Sequence, residues 1–463
     1  MCPGSSMDGF DSHRLAQSLH ALGALPASAR VTVALSGGAD SAALLAALIE
    51  CCTRSSQRAV RALHIHHGLS GSDALADAAA QIARVLGVSL EVARVQMSSA
   101  PGLSVEAEAR RVRYDAFRAA LSPGEVLLTA HHQEDQAETL LLQLLRGAGV
   151  TGLSAMPAVA MLGHGQLWRP LLAVPAAELA AYADQHGLPY VSDPMNADLR
   201  FDRAYLRRVL WPTLTARWPQ AARTLARSAT HLASAQRLLD ESSVAQLEGL
   251  QCDGVLQVAA LQRLSAERRA EVLRYWLRAK GLPLPPTASL LAIEQGVLGA
   301  RSDGTPRVVW PGVEVRRFAG GLYASAPLAD LPWTTAVPLV PGRLDLGSLG
   351  ALEIGVHAGV ALDAGRFWLR RRAGGERLCR APNGATRPVK DWLREAGIPP
   401  WARTRAVLCY DRDTLLGVIA PRVAWWAVSA QPIIEETGLC IAWLDPPAVL
   451  FGVSFIEPAQ AFR

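Results

Sequence analysis

A short glycine loop is the first place in this sequence where residue type and spacing could support chemistry. The loop consists of Ser36, Gly37, Gly38, Ala39, Asp40 and Ser41. It connects the apolar run 31–35, a predicted strand, to the alanine- and leucine-rich stretch 40–50, a predicted helix. Glycines let backbone N–H groups close around a phosphate at a helix start, and the serines add hydroxyl donors. The loop therefore predicts a phosphate-binding site.

Two other phosphate-binding loops do not fit these residues. A Walker loop needs a lysine before its serine or threonine, but the lysines of this chain are Lys280 and Lys390. A Rossmann loop needs the spacing G-x-G-x-x-G between strand and helix, and that spacing is missing here. The structural alternative is an ordinary glycine turn with Asp40 at a helix start, where the helix dipole favours a carboxylate.

A second group of reactive side chains starts at residue 131, directly after the apolar run 126–130. A helix beginning there would place His131, Asp135 and Glu138 on one face. The opposite face would be apolar, with Ala137, Leu140, Leu141, Leu144 and Leu145. Two unprotonated carboxylates beside a nucleotide could hold Mg²⁺ or a cationic amine and accept a proton from that amine.

This histidine-rich region has two other interpretations. One is a solvated amphipathic helix with incidental acidic residues. The other is a structural zinc site built from the histidines His131, His132, His64, His66 and His67. Adjacent histidines point away from each other and the group has no thiolate, which disfavours zinc.

The elements that would position both groups follow from the hydrophobic pattern. Strands are predicted at 31–35, 59–65, 90–95 and 126–130, and helices at 40–50, 72–86 and 104–121. This alternation predicts a mostly parallel sheet with helices on both faces. Ligands of such sheets bind beyond the carboxyl ends of the strands, where residues 36 and 131 both fall. We therefore expect one site in an α/β domain.

The rest of this 463-residue chain predicts two further domains. Long stretches rich in alanine, leucine and arginine, 220–250 and 265–280, are typical of helices, and short β-like runs follow residue 343. Proline-rich segments look like connectors. We predict three domains: an α/β nucleotide-binding domain at 1–218, a helical middle domain at 219–325 and a small α+β domain at 340–463.

Composition narrows the class of protein. Half of the residues are apolar, which suits a folded chain, and no apolar run approaches the roughly 18 residues of a membrane helix. Residues 1–10 lack the pattern of a secretion signal, so we expect a cytoplasmic protein, although Met1 and Met7 are both candidate starts. The seven cysteines include no Cys-x-x-Cys pair, which argues against a disulfide framework or a cysteine-bound cluster.

Positive charge is concentrated in the segment 366–405, called here the basic segment. It has eleven arginines and lysines against three acidic residues, whereas the whole chain has a net charge of only +5. Trp368, Trp392 and Trp401 are interleaved with these cations. Such a segment could follow a nucleic-acid backbone. The alternative is an ordinary basic surface over buried tryptophans.

Taken in order, these motifs resemble the tRNA(Ile)-lysidine synthase family. The loop at 36–41 is similar to the pyrophosphate loop (PP-loop) of N-type ATP pyrophosphatases, whose fold is adenine nucleotide α-hydrolase-like. The other segments similar to family motifs are Leu63–Leu69, Val105–Tyr114, His131–Gly149, Arg169–Leu172, Asp193–Asn196, Arg203–Arg207 and 370–403. Departures from the family pattern occur at His66, Met195, Ala204 and Tyr205.

The resemblance implies an ATP-dependent ligase that modifies tRNA. ATP would adenylate C2 of the wobble cytidine, position 34, in an isoleucine tRNA with a CAU anticodon, and the amine of free L-lysine would displace AMP. Residues 36–41 would bind ATP, and Asp40 and Asp135 would hold Mg²⁺. The implied catalytic residues are Asp40, Asp135, Glu138, Arg113 and Arg203. The implied substrate-binding residues are Glu138, His131, His132 and Arg207, with Arg203 and Arg207 on one helical face together with Arg200.

Other enzymes and a binding protein remain open alternatives. tRNA thiolases share the fold but need cysteines for sulfur transfer, and none lies in the motifs of the predicted nucleotide-binding domain. Amidotransferase-linked and argininosuccinate-type ligases share the loop but leave the basic segment unexplained. A non-catalytic RNA-binding relative would form neither AMP nor pyrophosphate. The sequence leaves the oligomeric state open, with a homodimer among the options.

Overall fold

The chain folds into two compact units, residues 1–238 and 239–463. The computed structural model describes residues 9–25, 29–55, 59–69, 71–97, 105–192, 198–301, 304–357, 365–421, 423–446 and 450. The motif at 193–196 with Met195, and the two candidate starts Met1 and Met7, lie outside the described residues. Within the part of the chain that is described, no helix is long and apolar enough to cross a membrane.

A six-stranded sheet forms the centre of the first unit. Its strands are β1 Val31–Ala34, β2 Val60–His66, β3 Ser89–Arg94, β4 Val126–Leu128, β5 Val159–Leu162 and β6 Gly165–Trp168. Their order is β3-β2-β1-β4-β6-β5, and all neighbours are parallel except β5 and β6. The predicted parallel α/β sheet is confirmed, with the β5–β6 hairpin as an addition.

Helices cover both faces of this sheet. In the described part of the first unit they are α1 Ser12–Ala21, α2 Ala39–Ser55, α3 Ser72–Val85, α4 Val105–Ala120, α5 Gln133–Leu145, α6 Val150–Leu153, α7 Ala176–Gln185, α8 Asp202–Tyr205, α9 Trp211–Arg217 and α10 Ala221–Leu250. The unit boundary falls within α10. A π-helical turn, Leu206–Leu210, joins α8 to α9. Side chains of β2 alternate between faces, so Leu63 packs with Phe117 of α4, whereas Ala62 packs on the side of α2.

A buried carboxylate ties β1, β2 and β4 together at the end of the sheet where β4 begins. Glu125, only 2% exposed, accepts hydrogen bonds from Thr32 Oγ1 at 2.5 Å and Arg61 Nε at 2.8 Å. Its second oxygen accepts the backbone N–H of Ser122 at 2.9 Å. Burial raises the pKa of Glu125, but these hydrogen bonds outweigh burial and hold the pKa below its ordinary value. The carboxylate of Glu125 is therefore charged in the folded protein at neutral pH.

We expect Glu125→Gln to lower the free energy of unfolding by about 2 kcal/mol, because Arg61 and Thr32 lose a charged acceptor. The folded-state pKa lies below the ordinary 4.5, so this contribution is complete above about pH 4.5 and disappears as the pH falls through the folded-state pKa. Urea unfolding of both proteins from pH 3 to 7 measures it. Glu91→Gln is the matched control, because Glu91 also meets Arg61 but its side chain is 50% exposed. Equal losses in the two variants would contradict the prediction.

The second unit combines helices with antiparallel sheets. Its first part contains β7 Gln251–Cys252, β8 Val255–Gln257, α11 Val258–Leu261, α12 Ala266–Ala279, α13 Thr287–Ala292, β9 Arg307–Trp310, β10 Val313–Phe318 and β11 Gly321–Ser325. A π-helical turn, Ile293–Leu298, extends α13. The predicted helices at 220–250 and 265–280 are confirmed by α10 and α12. The sheet β7-β8-β11-β10-β9 adds a β component that the helical pattern did not predict.

The end of the chain is rich in short strands, as expected for an α+β region. Its elements are β12 Val337–Pro338, β13 Gly342–Asp345, β14 Ala351–Gly355, β15 Phe367–Arg371, β16 Arg377–Leu378, β17 Arg387–Pro388, α14 Val389–Glu395, α15 Pro400–Arg403, β18 Val407–Asp411, β19 Thr414–Ala420, β20 Val423–Trp426, α16 Gln431–Thr437 and β21 Cys440–Leu444. Short 3-10 turns lie at Gly347–Leu349 and Val428–Ala430. Its sheets are β12-β15-β18-β19-β20, β13-β14-β21 and the pair β16-β17. The tryptophan Trp401 is buried in the core between them, 6% exposed.

Candidate active site

The glycine loop is closed by hydrogen bonds among its own residues. Ser41 Oγ accepts the backbone N–H of Ser36 at 3.1 Å, lies 2.9 Å from Ser36 Oγ and donates to the carbonyl of Gly38 at 3.0 Å. Gly37 has φ +91°, and a Cβ there would lie 2.4 Å from the carbonyl oxygen of Leu75. No other residue fits at this position without moving α3. The loop thus delivers β1 into α2 with N–H groups at the helix start, as a phosphate site requires.

A cavity of about 270 Å³ lies beside the loop at the carboxyl ends of β1, β2 and β4. The predicted site residues that line it are Ser36, Asp40, Ser41, Arg113, His131 and Asp135. Apolar side chains, Leu63, Ile65 and Phe117, form part of the same wall. The other predicted residues, Gly37, Gly38, Ala39, His132, Glu138, Arg203 and Arg207, do not line the cavity. A mixed apolar and polar cavity next to a phosphate loop suits a nucleotide.

The helix after β4 begins later than predicted. α5 starts at Gln133, and His132 has an extended backbone whose N–H donates to Asp135 Oδ2 at 3.2 Å. His131 precedes the helix, where its Nδ1 lies 2.9 Å from Thr129 Oγ1. The prediction that His131 shares a helical face with Asp135 is therefore wrong, because the capping contact at His132 starts the helix two residues later.

The apolar stripe predicted for α5 is only partly buried. Ala137 and Leu140 are buried in the first unit, at 0% and 2% exposure. Leu144 and Leu145 are instead 50% and 76% exposed. The carboxyl end of α5 extends beyond the hydrophobic core, so the predicted apolar stripe is wrong for Leu144 and Leu145.

Two arginines surround the carboxylates of α5. Arg207 Nε donates to Glu138 Oε1 at 2.6 Å, and Arg207 Nη2 donates to Asp135 Oδ1 at 2.7 Å. Arg203 Nη2 donates to Thr139 Oγ1 at 3.1 Å, and its Nη1 lies 4.0 Å from Asp135 Oδ1. Glu138 is only 2% exposed. The position next to the carboxylates, where sequence analysis expected a cationic amine, is therefore occupied by the guanidinium of Arg207.

The third arginine of this group lies elsewhere. Arg200 precedes α8 and pairs with Asp198, and its side chain is 86% exposed. The prediction that Arg200 shares a helical face with Arg203 and Arg207 is wrong, because the helix begins only at Asp202. Arg207 lies in the π-helical turn that follows α8. Such turns widen the helix locally and are frequent at functional sites.

The charges around His132 are strongly coupled. Its Nδ1–H donates to Glu134 Oε2 at 3.0 Å, while Nε2 lies 3.7 Å from Asp40 Oδ2 and 3.5 Å from Asp135 Oδ2. Burial opposes a charge on His132, but these carboxylates outweigh burial and raise the pKa to about 9. His132 is therefore a cation that links the loop carboxylate to α5.

The carboxylates differ in their readiness to take up a proton. Burial raises the pKa of Asp135, but the charges of His132 and Arg207 outweigh it and lower the pKa below its ordinary value. For Glu138 and Asp40, burial prevails over the nearby cations and the pKa of each is raised. Glu138 is thus the better proton acceptor of the α5 pair, since its conjugate acid is the weaker one.

The histidines near the cavity are mostly neutral. Burial, reinforced by Arg113, lowers the pKa of His67 to about 4, and burial lowers that of His131 to about 3. His64, 3% exposed, has a pKa below its ordinary value for the same reason, and its Nδ1–H donates to the carbonyl of Leu35 at 2.8 Å. Within the described residues, no group of three or more histidine, cysteine or acidic side chains could hold a metal ion.

The carboxylate of Asp40 fits Mg²⁺ better than that of Asp135 does. Asp40 lines the cavity and its side chain is 40% exposed, which suits an ion that takes one or two carboxylates and completes its shell with phosphate and water. Both oxygens of Asp135 already accept hydrogen bonds, one from Arg207 and one from the backbone of His132. Asp135 could join a metal only after Arg207 releases it.

Several contacts in the site were not predicted. Glu134 holds His132 and also accepts the backbone N–H of Ala176 at 2.9 Å. Thr139 binds Arg203, and Thr129 binds His131. Thr139 lies in the segment His131–Gly149 that resembles a family motif, so this segment was the signal for it. Glu134 had no such signal, because its partner Ala176 is distant in sequence.

Trp392 of the basic segment packs against two arginines. Arg380 lies over Trp392 and Trp425, with its guanidinium carbon 4.8 and 5.0 Å from the ring centroids. Arg387 also lies over Trp392, at 4.5 Å. Trp401 is buried in the core, so for this residue the alternative of a buried tryptophan beneath a basic surface is correct. Trp392 instead supports cations at the surface.

Known proteins resemble this chain over most of its length. Family models match three stretches in order: a PP-loop domain at 11–214, a TilS substrate binding domain at 256–323 and a TilS substrate C-terminal domain at 368–432. The tRNA(Ile)-lysidine synthase of Coxiella burnetii is 40% identical over 428 residues, which cover 88% of this chain and 94% of that protein. Those of Methylococcus capsulatus and Escherichia coli O157:H7 are 40% and 37% identical and cover 82% and 90% of this chain and 89% and 96% of those proteins.

These relatives span nearly the full length of the chain, and the matched PP-loop domain contains the loop at 36–41 and the acidic helix α5. The same domain also contains both arginines that hold the acidic pair. The chain belongs to the tRNA(Ile)-lysidine synthase family, a family of ATP-dependent ligases.

Proposed function

We propose that this protein joins free L-lysine to C2 of cytidine 34 in an isoleucine tRNA with a CAU anticodon, and that it converts ATP to AMP and pyrophosphate. One observation carries the proposal. The phosphate loop and the acidic pair of α5 meet at the same edge of the sheet, linked through His132. An activating nucleotide and an acceptor amine could therefore be held side by side.

The first step would use the loop and the cavity. The C2 carbonyl oxygen of the cytidine attacks the α-phosphorus of ATP, a new oxygen–phosphorus bond forms, and the bond to the bridging oxygen of pyrophosphate breaks. Backbone N–H groups of residues 36–41 and the hydroxyls of Ser36 and Ser41 would receive the charge that develops on pyrophosphate. Arg113, on the cavity wall, would neutralise charge on the transferred phosphoryl group.

Mg²⁺ would be held by Asp40, together with Asp135 if Arg207 releases it. When bound, the ion would supply charge neutralisation for the leaving pyrophosphate.

The second step would use the acidic pair. The amine of lysine attacks C2 of the adenylated cytidine, a carbon–nitrogen bond forms, and AMP leaves with the oxygen. An ammonium ion must lose a proton before it can attack, and Glu138 is the preferred acceptor because burial raises its pKa. Arg207 would have to yield its place on Glu138 to the incoming amine, while Arg203 would neutralise the adenylate phosphate. His131 and His132 would border the cytidine.

A direct assay tests the proposal. The protein is incubated with unmodified isoleucine tRNA, ATP and labelled lysine, and the tRNA is then digested to nucleosides. We expect a labelled cytidine adduct together with equal amounts of AMP and pyrophosphate. A thiolated product would support the thiolase alternative, and ATP left unconsumed would support a non-catalytic RNA-binding protein. Either result would overturn the proposal. The cytoplasmic location, the homodimer and the three predicted domains stay predictions.

A further inference from the structure

Ion pairs hold most of the positive charge of the basic segment. Within the described residues, seven of its eleven cations pair with a carboxylate: Arg366 with Asp411, Arg370 with Asp413, Arg371 with Asp330, Arg372 with Glu376, Arg387 with Glu395, Arg394 with Asp391 and Arg405 with Asp330. A paired carboxylate cancels much of the field of its arginine and repels an approaching phosphate. The number of cations in the sequence therefore overstates the positive charge that is available to bind a polyanion.

The exposed cations outside these pairs lie close together. Arg377, Arg380 and Lys390 are exposed and form no ion pair with a carboxylate in the described part of the chain. They belong to the β16–β17 hairpin and the first turn of α14. The register pairs Arg377 with Pro388, two residues before Lys390, and Arg380 lies in the loop between the strands. The remaining cation, Arg403, is half-buried and donates to the carbonyl of Ile398.

Arg380 is held against two aromatic rings. Its guanidinium lies over the rings of Trp392 and Trp425, and Trp392 is fixed by a hydrogen bond from its Nε1 to the carbonyl of Leu378 at 3.2 Å. Stacking uses the faces of a guanidinium and leaves the N–H groups at its edge for an acceptor. A planar donor fork of this kind matches two oxygens of a phosphate.

We infer that Arg380 is an anchor for a backbone phosphate of the bound RNA, with Arg377 and Lys390 as flanking contacts. The inference rests on the proposed function, which makes tRNA the partner. Arg380 and Arg387 both lie over Trp392, so an unpaired base cannot stack on this ring without displacing a guanidinium. The surface therefore binds phosphates rather than reading bases, and Trp425 acts as a positioning residue through Arg380.

Binding of unmodified isoleucine tRNA at several salt concentrations tests the anchor. Arg380→Gln should weaken binding about tenfold at low salt and reduce the slope of log affinity against log salt by about one. Arg394→Gln is the matched control, since Arg394 is exposed in the same region but paired with Asp391. It should change the affinity less than about twofold. Equal effects of the two substitutions would overturn the inference.

Two further variants separate charge from geometry. Arg380→Lys keeps the charge but not the donor fork, so we expect weaker binding with an unchanged salt slope. Trp425→Leu should weaken binding by itself but add nothing to Arg380→Gln, because its ring acts through the guanidinium. Additive losses in the double variant would show that Trp425 contacts tRNA itself and would contradict its positioning role.

Point substitutions are preferable to removing residues 340–463. Val255 and Tyr323 are buried in the same core as Trp401, so the truncation would expose that core.

Lysine transfer is measured on the same proteins. If the protein transfers lysine but Arg380→Gln leaves tRNA binding unchanged, this inference fails and the proposed function stands. If Arg380→Gln weakens tRNA binding but the wild-type protein transfers no lysine, the proposed function alone fails.

Discussion

Asp135→Asn should reduce lysine transfer to tRNA at least about 100-fold. The substitution keeps the shape of the side chain but removes the charge that Arg207, Arg203 and His132 surround. Arg207 would then face Glu138 alone, while His132 would keep Glu134 and Asp40, and the amine would meet a site with one negative charge fewer. The measurement is the rate of lysidine formation with saturating ATP and tRNA.

Asp202→Asn is the control for this experiment. Asp202 forms an ion pair with Arg146 in the same unit, but both side chains are more than half exposed. Its loss should leave the rate within about twofold of wild type, since exposed pairs contribute little. Thermal unfolding of both variants shows whether the fold survives. A folded Asp135→Asn protein that transfers lysine at the wild-type rate would remove Asp135 from the catalytic site.

Gly37→Ala should weaken ATP binding by more than about 100-fold. A Cβ at this position lies 2.4 Å from the carbonyl oxygen of Leu75, and the backbone φ of +91° is strained for any residue with a side chain. The loop can accept alanine only by moving away from α3, which would misplace the N–H groups that surround the phosphates. Calorimetric titration with ATP measures the loss directly.

Gly87→Ala isolates the clash from the backbone strain. Gly87 also has a positive φ, +67°, but a Cβ there meets nothing within 4 Å. This variant should lose about 1 kcal/mol of stability and keep its affinity for ATP. If both alanine variants bind ATP equally well, contact between the loop and α3 does not shape the nucleotide site.

The order of elements around the site was predictable from local pattern alone. The run 31–35, the glycine loop and the stretch after it have the periodicity of strand, turn and helix, and no distant partner is needed to define them. The parallel sheet follows from that alternation. Asp135 and Glu138 share a helical face because three residues are nearly one turn.

The parts that were missed depend on distant residues. Arg207 lies 69 residues from Glu138 and 72 from Asp135, and nothing in local periodicity links them. The start of α5 depends on a contact between His132 and Asp135, although histidine is not a preferred capping residue. The short strands of β7–β11 gain their stability from neighbours across the sheet, so their own residues carry little signal.

The guanidinium of Arg207 on the acidic pair has a consequence for how the amine would be admitted. Lysine would arrive as a cation and replace another cation, so the net charge of the pair would hardly change. Lysine would exchange with Arg207 at this pair. Its affinity would therefore depend on the difference between the binding free energies of the two cations rather than on the attraction of lysine alone. Such an exchange responds weakly to ionic strength, because screening affects the arriving and the departing charge alike. Water and neutral nucleophiles offer no charge to exchange, so the resting pair of Arg207 and Glu138 would stay closed to them.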